Sequence, residues 1–298
     1  SFVHAIPLRD DLGSMEMEIG TKSVLAQSYF NQGLRWTSTF KFDFAAESQQ
    51  AALEADPSCA MCFWGLALAY GQNLNDAVVM TLEPEFLANE PLAYDAITKA
   101  AKLINATDYP ASLSKERDTA LINAMTLRMS RTLEKYKSLF VDGLPKSLNQ
   151  AYAEAMTTVA ERAVAESWPA TDIVRTLAAD SLMGLSPWDY WVDPDTQRPN
   201  AMAARVLLEA AMTENPENPW AIHLYTHLME AGSEAGLAVP HAKRLKDLVP
   251  GAAHLQHMPS HVEFRTGLWH DASAANMRAI ALPDKDASYP DHNMDMLM

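Results

Sequence analysis

The chain has 298 residues, a formal net charge of −15 and a hydrophobic content of 48%. A chain of this length and composition buries a large core, which excludes an intrinsically disordered polymer. The acidic balance argues against nucleic acid and anionic membranes as partners, because both attract basic surfaces. A metal ion or another cationic ligand remains compatible. The longest nearly uncharged apolar run, 59–71, is shorter than the about 20 residues that span a bilayer, so we expect no membrane insertion.

Paired helices are predicted from the first part of the chain. In residues 29–57, Gly33 falls where two helices would cross closely. Phe42 and Ala45 begin the second helix of the pair, and Pro57 ends it. This small-large-small pattern resembles a tetratricopeptide repeat, in which two helices form a hairpin. The sequence therefore predicts an all-α fold, a tetratricopeptide-like solenoid of helical hairpins.

The same pattern recurs along the chain. Segment 59–71 places Trp64 and Gly65 at an equivalent crossing, and segment 257–280 places its turn at Gly267. Other helical stretches separated by proline and glycine are 91–105, 114–130, 147–166, 170–184, 200–213 and 219–231. We divide the chain into an N-terminal extension, 1–20, and the solenoid, 21–298, whose histidine-rich part is 219–298.

Two further features leave alternatives open. Cys59 and Cys62 form a lone C-x-x-C, which fits either two small residues on a buried helix face or a local disulfide. Segment 186–199 is an aromatic loop, either a plug over the inner surface of the solenoid or one wall of a ligand pocket. Its candidate pocket residues are Trp188, Tyr190 and Trp191.

Histidines are concentrated near the end of the chain. His223, His227 and Glu230 are spaced i, i+4 and i+7, so they share one helix face. A second group has the spacing i, i+3 and i+7, again on one face, and its members are His254, His257 and His261. About one helix separates the two groups, so the two faces could meet.

Imidazole is a common ligand of zinc, copper and iron, and helical spacing lets two rings reach one ion. With His292 added, six histidines suffice for two ions with three imidazoles each. Glu230 is the carboxylate best placed as a ligand or a catalytic base. The alternatives are a polar hydrogen-bond network and scattered surface positions. We favour a metal site of copper or zinc, with iron as a further option.

The chain also resembles a group of bacterial tetratricopeptide-repeat proteins, many of them exported. The resemblance covers about residues 20–298 and rests on FNQGL, DPSCAMCFWGLALAYGQNLN, PWDYW, IHLYTHLMEA and, most specifically, HLQHMPSHVEFRTG. It implies a periplasmic or secreted location and a chain that continues past residue 298. Relatives often carry histidine at the position of Asn218, so a ligand there would be lost in this chain.

Three functions follow from these observations. The first is a metal-binding protein, which as an enzyme would use its ion to polarise a substrate or activate water or O₂. The second is a scaffold that binds a protein or peptide in the concave groove of the solenoid, with purely structural histidines. The third is metal storage or delivery without catalysis.

Overall fold

The computed structural model describes residues 6–71, 73–74, 84–106, 114–129 and 148–283. The first nine helices that it describes are α1 (Val24–Ser38), α2 (Phe42–Ala55), α3 (Ala60–Tyr70), α4 (Pro84–Ile104), α5 (Lys115–Arg128), α6 (Leu148–Ala165), α7 (Thr171–Met183), α8 (Pro199–Glu214) and α9 (Pro219–Met229). A 3₁₀ turn at Ala235–Leu237 and five further helices follow: α10 (Val239–Ala242), α11 (Leu245–Leu248), α12 (Ala253–His257), α13 (Pro259–Arg265) and α14 (Trp269–Ile280).

Consecutive helices pack against each other from α1 to α9, so the predicted all-α architecture of helical hairpins is confirmed. The hairpin predicted from 29–57 corresponds to α1 and α2, and α3 follows at once. Gly33 and Gly65 both lie against the side chain of Gln49, where an added Cβ would overlap it. Glycine at these two positions lets α1, α2 and α3 approach closely.

Segment 186–199 differs from the predicted loop. Trp191–Asp193 and Thr196–Gln197 form a two-stranded antiparallel sheet with Trp191 opposite Gln197. The side chain of Asp193 accepts a hydrogen bond of 2.9 Å from the backbone N–H of Asp195, which stabilises the turn between the strands. The all-α pattern is therefore interrupted by one small hairpin, which packs beside α9.

The two ends of the described chain are in contact. Helix α1 touches α9, and the backbone N–H of Gly251 donates to the carbonyl of Asp11 at 2.8 Å. Within the predicted N-terminal extension, the apolar side chains of Leu12, Met17 and Ile19 are buried. This contact brings the C-terminal end of α1 next to the histidine-bearing helices, although 185 residues separate Ser38 from His223.

The two cysteines form a disulfide, which resolves the open alternatives for this pair. Cys59 is the N-cap of α3, and its sulfur accepts the backbone N–H of Cys62. Both residues are buried, so the bond is shielded from exchange with solvent thiols. Among the described residues, no helix is long and apolar enough to cross a membrane.

Candidate metal centre

Helix α9 presents the first group of histidines. Asn218 is its N-cap and accepts the backbone N–H of Ala221 at 3.0 Å, while Pro219 occupies the first turn without losing a hydrogen bond. The Asn218 amide also donates to Asp172 at 3.0 Å. Asn218 thus fixes the start of the helix that carries His223 and His227.

The second group lies on two short helices that meet at Met258. Helix α12 ends at His257, and α13 begins at Pro259, which has no backbone N–H to donate. Met258 itself keeps helical backbone angles, with φ of −50° and ψ of −39°. The three rings therefore stay close together, with neighbouring ring centroids 6.1 Å and 4.7 Å apart.

His223 and His254 are in direct contact. The Nδ1 atom of His223 lies 2.7 Å from the carbonyl oxygen of Ser38, and its Nε2 atom lies 3.0 Å from Nε2 of His254. His227 completes this group, since the three histidines offer ligand nitrogens within 4.8 Å of one another. All three side chains are buried. We call His223, His227 and His254 the upper group.

Two aromatic side chains hold the ring of His227. Phe40 stacks on it with an interplanar angle of 2° and a centroid distance of 6.0 Å. Trp188 meets it edge-on at 89° and 4.7 Å. Both aromatic residues have left-handed backbones, with φ of 58° and 61°, which strains residues other than glycine. Phe40 also lies 4.3 Å from the ring of His223, so one strained residue contacts two histidines.

His261, Glu230 and His257 form a second contact chain. The Nδ1 atom of His261 lies 2.5 Å from a carboxylate oxygen of Glu230, and its Nε2 atom lies 2.8 Å from Nε2 of His257. The Nδ1 atom of His257 lies 2.5 Å from the amide oxygen of Asn276 on α14. We call the pair His257 and His261 the lower pair. His227, Glu230 and His261 also offer ligand atoms within 4.8 Å of one another.

Burial determines the charge of these groups. It is the largest cause that lowers the pKa of His223 and His254 well below the usual range, and the neighbouring histidines add to the effect. Both rings are therefore neutral near pH 7, the state in which imidazole binds metals. Burial alone would raise the pKa of Glu230, but attraction to His261 and hydrogen bonds from His227 and His261 outweigh it and lower that pKa.

The remaining predicted residues lie at different distances from the histidines. Tyr190 is buried, and its hydroxyl has no hydrogen-bond partner among the described residues. Trp191 donates from its indole N–H to the carbonyl of Leu228 at 2.7 Å, so it anchors the small sheet to α9. Of these three aromatic residues, Trp188 contacts a histidine ring, that of His227. His292 lies outside the described residues.

Three residues outside the predicted set also contact the rings, namely Ser38, Phe40 and Asn276. Ser38 and Phe40 have no local signal, because they reach the histidines only through the contact between α1 and α9. Asn276 does have one. It is a polar residue on a helix face that is otherwise made of buried alanines at 272, 275 and 279. A buried amide needs a hydrogen-bond partner, and that requirement points to a polar neighbour.

No protein-family model matches the chain, and no curated protein matches it. Five imidazoles and one carboxylate converge between α9, α12 and α13, supplying nitrogen and oxygen donors that suit borderline divalent ions. The arrangement could hold a metal ion, and the donors alone do not identify which metal.

Proposed function

We propose that this chain is a metal-binding protein of tetratricopeptide type, whose buried histidines hold copper or zinc. The observation that carries the proposal is the convergence of three buried imidazoles, His223, His227 and His254, with ligand nitrogens within 4.8 Å. Burying three imidazoles is unfavourable unless their ring nitrogens find partners, and a divalent ion supplies one partner to all three. Imidazole nitrogens suit zinc and copper, and iron is the further option.

The direct test is elemental analysis of protein purified without an affinity tag. We expect about one or two equivalents of metal per chain, and a clear loss of metal in His223→Ala and His254→Ala. The matched control is His270→Ala, because the side chain of His270 is 97% exposed. Protein that holds no metal after incubation with copper, zinc and iron ions would refute the proposal. It would leave the scaffold hypothesis, in which a peptide or partner helix binds the groove.

As an enzyme, the protein would use its ion to polarise a substrate or to activate water or O₂. Glu230 is the predicted catalytic base. Its low pKa makes it a weak base, because general bases work best with a pKa near the operating pH. The contact with His261 favours a role as a ligand or as the partner that orients that ring. Trp188 and Tyr190 would border the bound substrate.

A further inference from the structure

The hydrogen bonds of the lower pair determine which ring nitrogen carries the proton. His257 Nδ1 faces the amide oxygen of Asn276, whose orientation is fixed because its Nδ2 donates to the carbonyl of Ala272 at 3.0 Å. An amide oxygen only accepts, so at 2.5 Å His257 donates from Nδ1, and the Ser260 hydroxyl, 3.3 Å from the same nitrogen, acts as a weaker second acceptor. Since a neutral imidazole has one N–H, Nε2 of neutral His257 is an unprotonated acceptor.

The same reasoning applies to His261. Its Nδ1 atom lies 2.5 Å from the carboxylate of Glu230, which accepts hydrogen bonds but cannot donate them when ionised. His261 therefore donates from Nδ1, and its Nε2 atom is also an acceptor in the neutral ring. The two Nε2 atoms lie 2.8 Å apart. Two lone pairs at this distance repel, and a shared cation replaces that repulsion with attraction.

The contact between His223 and His254 in the upper group does not force two unprotonated Nε2 atoms to face each other. His223 donates from Nδ1 to the carbonyl of Ser38, so its Nε2 atom is an acceptor. His254 can carry its proton on Nε2 and donate it to His223 across the 3.0 Å contact. A proton on one ring therefore satisfies the upper contact. In the lower pair both Nδ1 atoms already donate, so only an added cation, either a second proton on His261 or a metal ion, relieves the contact between the two Nε2 atoms.

The outer contacts of the lower pair are typical of metal-binding histidines. A ligating histidine usually donates its other N–H to a carboxylate, a carbonyl or a water, which orients the ring toward the ion. Glu230 and Asn276 occupy these outer positions for His261 and His257. A tetrahedral zinc ion with bonds of about 2.05 Å holds its nitrogens about 3.3 Å apart, so the pair would need to open by about 0.5 Å.

We propose that the lower pair, His257 and His261, is a second metal position that binds a divalent ion through both Nε2 atoms. Glu230 and Asn276 orient the two rings from outside, and His227 is the histidine of the upper group nearest to this position. The proposal rests on the proposed function and makes it more specific, because the upper group and the lower pair would hold two separable ions. It also makes Glu230 a positioning residue.

The experiment is a stepwise titration of chelator-treated full-length protein with Zn²⁺, read by calorimetry and checked by elemental analysis. We expect two equivalents for the unaltered chain and one for His261→Ala. In Glu230→Gln and Asn276→Leu, one binding step should weaken by about 10- to 100-fold while the other stays unchanged. His270→Ala should bind like the unaltered chain, and helical circular dichroism should show that each variant is folded.

A second measurement reads the coordinating atoms directly. In protein labelled with ¹⁵N-histidine, two-bond ¹H–¹⁵N spectra with Zn²⁺ should show Nε2 of His257 and His261 as the coordinated nitrogens and Nδ1 as protonated. Coordination through Nδ1 of His261 would overturn the proposal. So would a single equivalent that His261→Ala leaves intact, although the upper group would then stand. An absence of any bound ion would overturn the proposed function as well.

Discussion

Phe40 offers a test of how tightly the histidines are held. Its ring is 7% exposed and contacts His223 and His227, while its backbone φ is 58°. Replacement by alanine removes a buried ring and should lower the free energy of unfolding by about 3–5 kcal/mol. Alanine retains the left-handed strain of about 1–2 kcal/mol, which glycine relieves. Glycine costs about 0.5–1 kcal/mol of backbone entropy instead.

The stabilities of the two variants should therefore differ in the direction opposite to the usual one, in which glycine is less stable than alanine. We expect Phe40→Gly to be more stable than Phe40→Ala by about 0.5–1 kcal/mol, because both lose the same ring and only glycine loses the strain. Urea unfolding with a chelator present measures this difference without a contribution from bound metal. The control is Ala203→Gly at an exposed position within α8, where glycine should cost about 1 kcal/mol.

The comparison has a clear negative result. If Phe40→Gly were less stable than Phe40→Ala by the amount measured for Ala203→Gly, the backbone at Phe40 would not be strained. Phe40 would then be an ordinary core residue, and its contact with the imidazoles would need no special backbone. If the expected order is found, strain is concentrated beside His227, which offers a ligand nitrogen both to His223 and His254 and to Glu230 and His261, and function can account for the strain there.

Three further predictions concern stability away from the histidines. Burial raises the pKa of Asp180 to about 6, so ionisation of this carboxyl group makes the folded protein less stable as pH rises from about 4 to 6. In urea unfolding at pH 7, Asp180→Asn should therefore raise the free energy of unfolding by up to about 3 kcal/mol. The double variant Cys59→Ser and Cys62→Ser should lose about 2 kcal/mol of its free energy of unfolding, because serine keeps the N-cap and only the short covalent loop is removed. Reduction of the disulfide in the unaltered chain should lower the free energy of unfolding by the same amount. Gly65→Ala should cost about 1–3 kcal/mol through overlap with Gln49, and Gln49→Ala in the same chain should relieve most of that cost in thermal unfolding.

Much of the fold is predictable because proline and glycine delimit the helices. The stretch 170–184 corresponds to α7 and 200–213 to α8, with ends that differ by one residue. The region 232–250 shows where this reasoning fails. One helix is expected there, but Pro240 and the short apolar runs yield a 3₁₀ turn followed by two four-residue helices. Local spacing predicts where regular helices lie and says little about how irregular connections fold.

Helical spacing predicts that the imidazoles gather, and the structure adds the direction in which each ring nitrogen points. The i, i+4 spacing puts His223 and His227 on one face of α9. The partner of each Nδ1 atom comes from elsewhere, since Ser38 is 185 residues from His223 and Asn276 is 19 residues from His257. Those partners set the tautomers and so distinguish a hydrogen-bonded contact from a pair that needs a cation. No pattern in a single sequence contains that information.

Buried histidines should also make the stability of the protein depend on pH. The pKa values of His223 and His254 are lowered in the folded state, mainly by burial, whereas unfolded histidine has a pKa of about 6.5. Below that pH the unfolded chain binds protons that the folded chain excludes. Stability should therefore fall as pH decreases, by about 2–3 kcal/mol per pH unit between pH 6 and 5 for the two residues together. Glu230 acts in the same direction but at lower pH, because its lowered pKa contributes stability that is lost only below about 4.5.

The measurement is urea unfolding with a chelator at pH 7.5, 6.5 and 5.5, for the unaltered chain and for a variant with His223→Leu and His254→Leu. Near pH 5.5, the free energy of unfolding of the variant should change with pH less steeply by about 2 kcal/mol per pH unit, because leucine binds no proton in the unfolded chain. His270→Ala should keep the full dependence, since that side chain is 97% exposed and does not belong to the buried group. Equal slopes in the variant and the unaltered chain would mean that the buried rings already carry protons. They would then be poor ligands near neutral pH, and the metal-binding proposal would lose the neutral imidazoles on which it depends.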